Sequence, residues 1–209
     1  MIKAFGKRFF YLLGVIGSLP LILITWLEAL LLGRQCERVF GSCKELLSII
    51  PTFVGDFMRL GYYSAVCTHV SPDAVILFGS MIAHRDTILR RGVVVGVRTI
   101  IGKADIGENV LFGAGVALLS GKYQHGRPQN RGNGDPAVVE FQTIAVGRNS
   151  WIGEKAVIMA NIGENCTISA GAVLMKDAPD NATFMGNPAR KVNVEPAKPA
   201  VPPVTESNK

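Results

Sequence analysis

Charge is scarce in this chain of 209 residues: Asp, Glu, Lys and Arg make up 18% of it, against 48% hydrophobic residues. That balance argues against disorder and points to a packed core with some membrane contact. Paired cysteines are lacking too. Cys36, Cys43, Cys67 and Cys166 form no CxxC motif and have no metal-type spacing, so buried thiols in a reducing compartment are expected rather than a disulfide framework. The spacing of Cys36 and Cys43 puts them on one face if that region is helical, for packing rather than chemistry. The net charge of +6 suits anionic lipid or a phosphorylated cofactor. Nucleic acid is disfavoured, because the basic residues are scattered and no reader motif accompanies them.

A long apolar run, FFYLLGVIGSLPLILITWLEALLL over residues 9–32, is long enough to cross a bilayer. No small-residue cleavage site clearly follows it, which argues against a secretory signal. Pro20 near its middle and Glu28 in its second half complicate a simple span, and basic residues flank both sides, so the positive-inside tendency selects no orientation. Residues 1–33 are therefore expected as a membrane anchor, either a helix broken at Pro20 that re-enters one face or a spanning helix. Burial against a partner chain is the alternative. Residues 34–68 read as an amphipathic helical neck, with Leu46, Leu47, Ile49, Ile50, Phe53 and Phe57 on its apolar face and breaks at Pro51 and Gly55.

From Val70 a six-residue period takes over. Val70, Ile76, Ile82, Ile88, Val94, Ile100, Ile106, Phe112 and Leu118 keep it, and Val146, Ile152 and Ile158 resume it. The position two before each is often small, as at Ala74, Ser80, Gly92, Ala104, Ser150, Ala156 and Ala172, so each short strand turns one large and one small side chain inward. This predicts a mainly β fold, a solenoid of short parallel strands with three sides per coil. Residues 121–141 interrupt it. Asp86 and Arg98 fall on positions expected to be small and inward, which predicts local irregularity. Ile162 follows Ile158 two residues early. Residues 175–192 are expected to close the solenoid, and 193–209 to be a disordered tail.

The segments IGENVLFGAG, IGEKAVIMANIGENCTISAGAVL and GNPARKV resemble the bacterial hexapeptide-repeat acyltransferases, over residues 69–192. The resemblance implies a left-handed parallel β-helix. The apolar N-terminus, with AVILFGSMIAHRD ahead of an SGKYQHG loop, resembles the branch that O-acetylates surface polysaccharides. By that resemblance the chain is an acetyl-CoA-dependent O-acetyltransferase of a cell-envelope or exopolysaccharide precursor. It would act as a homotrimer with sites between subunits, held at a bacterial inner membrane with its catalytic domain on the cytoplasmic face.

Acyl transfer needs a base, an oxyanion donor and a seat for the cofactor's phosphates. Of the three histidines, His125 lies in the interrupting loop where the family carries its catalytic histidine, and is the expected general base. His84, at a corner on the same side of the solenoid as the loop, and Tyr123 are candidates for substrate binding; His84 can equally be a structural corner. His69 reads as structural. Carried over from the family, Gly153 and Ala170 follow the pantetheine arm, Lys176 and Arg190 meet CoA phosphates, and a backbone amide near Gly153 serves the oxyanion. Trp151 is a candidate wall; Lys122, Arg127 and Arg131 can contact acceptor or cofactor. No metal is expected, because the histidines lack the close pair of the zinc enzymes that share this fold. The alternatives are N-acylation of a nucleotide sugar or amino acid, and a non-catalytic scaffold in polysaccharide assembly.

Overall fold

A computed structural model describes residues 2–121 and 141–193. Three helices precede the solenoid: α1 (Ile2–Leu32), α2 (Arg38–Ser48) and α3 (Thr52–Val66). Of the two forms expected for the apolar run, the one broken at Pro20 is not adopted, and α1 runs through that residue. Gly14, Ser18, Ile22, Thr25 and Glu28 form one buried stripe on either side of Pro20, so packing keeps both halves in line although proline removes a hydrogen bond. Phe10 meets Phe53 and Phe57 near the start of α3, while Trp26 Nε1 donates to Ala65 O near its end, so α1 and α3 run in the same direction. Their backbones touch where glycines permit it: a Cβ on Gly14 would lie 2.1 Å from Phe57 O, and one on Gly61 2.5 Å from Val15 N.

The solenoid follows. Its first coil carries β1 (His69–Val70), β2 (Val75–Ile76) and β3 (Met81–Ile82); the second carries β4 (Ile88–Leu89), β5 (Val94–Val95) and β6 (Ile100–Ile101). The third carries β7 (Ala104–Ile106), β8 (Leu111–Phe112) and β9 (Ala117–Leu118), and the fourth β10 (Ile144–Val146), β11 (Trp151–Ile152) and β12 (Val157–Ile158). The fifth has a single bridge at Ile162, then β13 (Thr167–Ile168) and β14 (Val173–Leu174). β15 (Thr183–Met185) begins a last turn, and β16 (Arg190–Val192) folds back on it antiparallel. All other pairs are parallel, in three stacked sheets.

The six-residue count needs correcting in the second coil. Its buried residues are Leu89, Val95 and Ile101, not Ile88, Val94 and Ile100. Seven residues separate Ile82 from Leu89 and five separate Ile101 from Ile106, so an extra residue at one corner is repaid at a later one and the count survives by coincidence. Aliphatic pairs such as Val94–Val95 and Ile100–Ile101 hide the slip. The small inward positions in this coil are then Thr87, Val93 and Thr99, all fully buried, which turns Asp86 and Arg98 outward. Asp86 pairs with Lys103 at 3.3 Å, and Arg98 occupies a left-handed corner (φ 56°). The short side at Ile158–Ile162 is real and recurs at Leu174–Ala178, giving the last coils a sixteen-residue repeat.

The helices cover the open top of the first coil. Gly79 N donates to Ser48 O at 3.0 Å, and Ile82 N to the Tyr63 hydroxyl at 3.2 Å. Arg59, fully buried, donates from Nε to Ile76 O and from Nη1 to Leu47 O and Ile50 O, and it pairs with Asp56. It thereby satisfies a last-turn carbonyl of α2, one in the turn beyond that helix and a strand carbonyl together. Cys43, Cys67 and Cys166 are buried as free thiols. Cys36 lies in the turn before α2 rather than on a helix with Cys43.

Candidate functional site

The solenoid has three edges. The first, between the first and second strands of each coil, is an asparagine ladder. Asn109, Asn149, Asn165 and Asn181 all adopt positive φ between 53° and 58°, and each amide donates to the next side chain at 3.2–3.3 Å. Asparagine tolerates this region better than other residues with a Cβ. The second edge carries Gly153 and Ala170. The third, from the end of one coil to the start of the next, carries residues 83–87, 102–103, 119–121 with 141–143, 159–161 and 175–177 in descending order.

Of the candidates among the described residues, that third edge carries His84 and Lys176, together with the two ends of the insertion. The long insertion leaves it after Ser120 and returns at Phe141, and Gln142 N donates to Ser120 O at 3.0 Å, closing the base of the insertion. His84 lies on the corner two coils above this base, where its ring meets that of Phe141, and Lys176 on the corner two coils below. Below the base is an open cleft of about 510 Å³ lined by Gln142, Ile144, Met159, Ala160, Asn161, Met175, Lys176 and Asp177. Asn161 Oδ1 accepts from Ala145 N and Asp177 Oδ1 from Asn161 N, both at 2.9 Å, so the cleft wall is braced by side chains sixteen residues apart. The signal for these residues was the repeat IMANIGEN and LMKDAPDN.

His84 has a built environment. Its Nδ1 is 3.0 Å from Glu37 Oε2, and its ring centroid is 4.4 Å from that of Phe141. Glu37 Oε1 accepts from Arg85 N at 2.7 Å. Burial tends to raise the Glu37 carboxyl, but the hydrogen bonds from His84 and Arg85 N and their positive field hold it below its ordinary value of 4.5. Glu37 was invisible in the sequence, because a helix-flanking glutamate 47 residues from His84 carries no periodic signal. Arg85, the extra residue of this corner, is buried and pairs with Glu28 at 3.3 Å; its Nη2 also donates to Cys36 O. Glu28 in turn accepts from Val39 N at 2.7 Å and Phe40 N at 3.3 Å, the first turn of α2. The carboxylate inside the apolar run thus caps a neighbouring helix.

The other candidates are dispersed. Gly153 and Ala170 are stacked on the second edge: a Cβ on Gly153 would lie 2.4 Å from Ala170 N. The stacking of coils alone therefore requires this glycine. Its N–H donates to Ile168 O at 2.7 Å within the ladder, so the Gly153 amide is not available as an oxyanion donor. Arg190 is exposed on β16 at the closed end, and Trp151 is exposed on the second sheet. His69 faces outward on β1. Tyr123 and His125, with Lys122, Arg127 and Arg131, lie outside the described residues. Among the described residues no group of three His, Cys, Asp or Glu converges to hold a metal.

No family model matches the chain. The bifunctional protein GlmU of Caldicellulosiruptor saccharolyticus is 28% identical over 166 residues, 76% of this chain but 32% of that protein. The chain thus spans about a third of the length of that bifunctional relative. Among solved structures, a maltose O-acetyltransferase from Clostridium difficile 630 superposes with a TM-score of 0.59 at 23% identity, over 75% of this chain and 84% of that one, which establishes a common fold. A Saccharomyces cerevisiae protein named "Putative acetyltransferase YJL218W" is 33% identical over 162 residues, 77% of this chain and 69% of its own length. With that relative matched along most of its length, and with coils whose inward residues repeat as described, the chain belongs to the hexapeptide-repeat acyltransferase family.

Proposed function

We propose that this chain is an acetyl-CoA-dependent O-acetyltransferase that modifies a sugar hydroxyl of a cell-envelope or exopolysaccharide precursor, at the cytoplasmic face of a membrane. The observation that carries this reading is the way the chain departs from the third edge. Ile144 pairs with Ala104, Trp151 with Leu111 and Val157 with Ala117, each forty residues apart, so the coils on either side of the insertion stack without a gap. Residues 122–140 are not needed to build the solenoid. A costly insertion at one edge, beside a cleft and carrying Tyr123 and His125, fits a functional arm on a rigid support.

In this mechanism His125 accepts the proton of the sugar hydroxyl as its oxygen attacks the acetyl carbonyl of the thioester. The tetrahedral intermediate collapses with cleavage of the carbon–sulfur bond, and the departing CoA sulfur takes the proton back from His125. Lys176, exposed in the cleft, meets a CoA phosphate, and Arg190 another. Tyr123 and His84 hold the acceptor. Gly153 and Ala170 lie along the pantetheine arm from the second edge, which in a homotrimer is supplied by a neighbouring subunit.

The test is CoA release from acetyl-CoA with the purified protein and a panel of hexose, amino-sugar and nucleotide-sugar acceptors. His125→Ala is expected to lower turnover by roughly 10²–10⁴-fold with CoA binding retained; undiminished turnover eliminates it as the base. Product stability separates the chemistries: an acetyl ester is cleaved by hydroxylamine, whereas an alkali-resistant amide would move the reaction to nitrogen. A protein that binds no CoA would be a scaffold.

A further inference from the structure

Both ends of α1 are fastened to the first coil. Near its start, Lys7 Nζ donates to Asp73 O at 3.0 Å and lies 3.4 Å from the Asp73 carboxylate. Near its end, Glu28 pairs with Arg85 at 3.3 Å, and just beyond it Arg34 Nη2 donates to Thr68 Oγ1 at 3.5 Å. The helix rises about 31 Å between Lys7 and Glu28 at 1.5 Å per residue. Asp73 and Arg85, in contrast, belong to one coil and differ in height by at most about one 4.8 Å step. A helix tied in this way runs across the end of the solenoid and does not project from it.

Its inner side is taken by α2 and α3, and its outer side is bare. Within the apolar stretch Gly6–Leu32, only 22% of the strongly hydrophobic eighteen-residue window is buried. Leu12, Ile16, Leu19, Leu23, Leu27 and Leu30 are 43–81% exposed along it. Exposed cations stand at its two ends, Arg8 at one and Arg34 and Arg38 at the other, and the single charge between them, Glu28, is turned inward. An apolar slot of about 160 Å³ between α1 and α3, lined by Phe10, Leu13, Gly17, Phe53 and Met58 among others, flanks this bare side. Its size is close to that of an engineered apolar cavity, about 150 Å³, that stays dry and takes up benzene.

Building on the membrane-associated reading above, we infer that α1 lies in the plane of one leaflet as a monotopic anchor, with the solenoid standing off the membrane. The occupant of the bare face is a single leaflet containing anionic lipid. The leucine stripe dips among the acyl chains, the terminal arginines reach phosphate, and one acyl chain enters the slot. A spanning helix would carry one end about 30 Å to the far side and sever the Lys7–Asp73 or the Glu28–Arg85 tie. A re-entrant hairpin needs the break at Pro20 that the helix lacks.

The test uses the full chain with single accessible thiols, Gly6→Cys and Leu32→Cys, each combined with Cys36→Ser because the other cysteines are buried. A Cβ on Gly6 meets nothing within 4 Å, and Leu32 is 68% exposed, so both sites accept the change. The protein is added to sealed phosphatidylcholine vesicles containing a minority of phosphatidylglycerol, floated, and treated with a membrane-impermeant maleimide. Both thiols are expected to label from outside to the same extent. Labelling of one end only after the vesicles are opened overturns the in-plane anchor while leaving membrane association intact. Failure to float overturns both, and a lipid-free oligomer burying this face would then be its explanation. The pair Ile16→Glu and Leu23→Glu should lower vesicle partition roughly tenfold or more with CoA binding unchanged; unaltered partition overturns the leaflet contact.

Discussion

Removing the Arg85 guanidinium would leave the Glu28 carboxylate buried with two backbone N–H groups and a thiol as its remaining partners. Breaking one side of a buried ion pair costs about 3–5 kcal/mol, so Arg85→Ala should lower the denaturation midpoint far more than Arg91→Ala, whose pairing with Glu108 is exposed. Glu37 adds a pH dependence. Its carboxyl is held below its ordinary value, so its contribution to stability is complete above 4.5 and is lost as pH falls through the lowered value. Between about pH 5 and about pH 3 the wild type should therefore lose more stability than Glu37→Gln; parallel melting curves would remove this role. None of this was legible in the chain. Arg85 and Glu28 are 57 residues apart, and in the sequence Glu28 reads only as an interruption of an apolar run.

The strands were more legible because each is defined by its own pair of inward side chains. Where the period held, at Val70–Ile82 and Ile106–Leu118, the residues read as inward are the buried ones. Where it slipped, at Ile82–Leu89, the aliphatic residues on both faces of each strand kept the count intact and concealed the change of face. The slip has a use, since the extra residue is Arg85, which reaches the helices. The edges carry their own code in the asparagine ladder. Asn165 holds φ 53° and bonds both to Asn149 and to Asn181. Asn165→Ala should therefore destabilise the protein by about 1–2 kcal/mol through the left-handed backbone alone. Asn165→Gly should cost less, because it loses the ladder bonds but not the conformation. Equal losses for the two variants in urea denaturation would show that the side-chain ladder, not the backbone, is what matters. Of the two forms the sequence allows for α1, a helix broken at Pro20 or an unbroken one, the helix adopts the second, its buried stripe running straight through Pro20.

At the scale of the whole molecule, the candidate residues fall on two different edges. His84, the base of the insertion and Lys176 share the third edge, whereas Gly153 and Ala170 lie on the second, on the far side of the third sheet. A rigid solenoid cannot bend to bring its own edges together. If both groups serve one acetyl-CoA, the second edge must come from another copy, and a closed ring of identical contacts makes every such pairing equivalent. On the proposed mechanism, Ala170→Trp should block the donor's path on the second edge, and His125→Ala should remove the general base. Each variant alone is then inactive. In trimers that contain both variants, the two should regain about a third of wild-type turnover, because only one of the three interfaces pairs an intact second edge from one subunit with an intact insertion from its neighbour. Measured turnover of the mixed oligomer, isolated through two different affinity tags, checks this directly. No recovery in oligomers shown to contain both variants would place donor and base within one subunit, and the second-edge residues would then have only the role of stacking the coils.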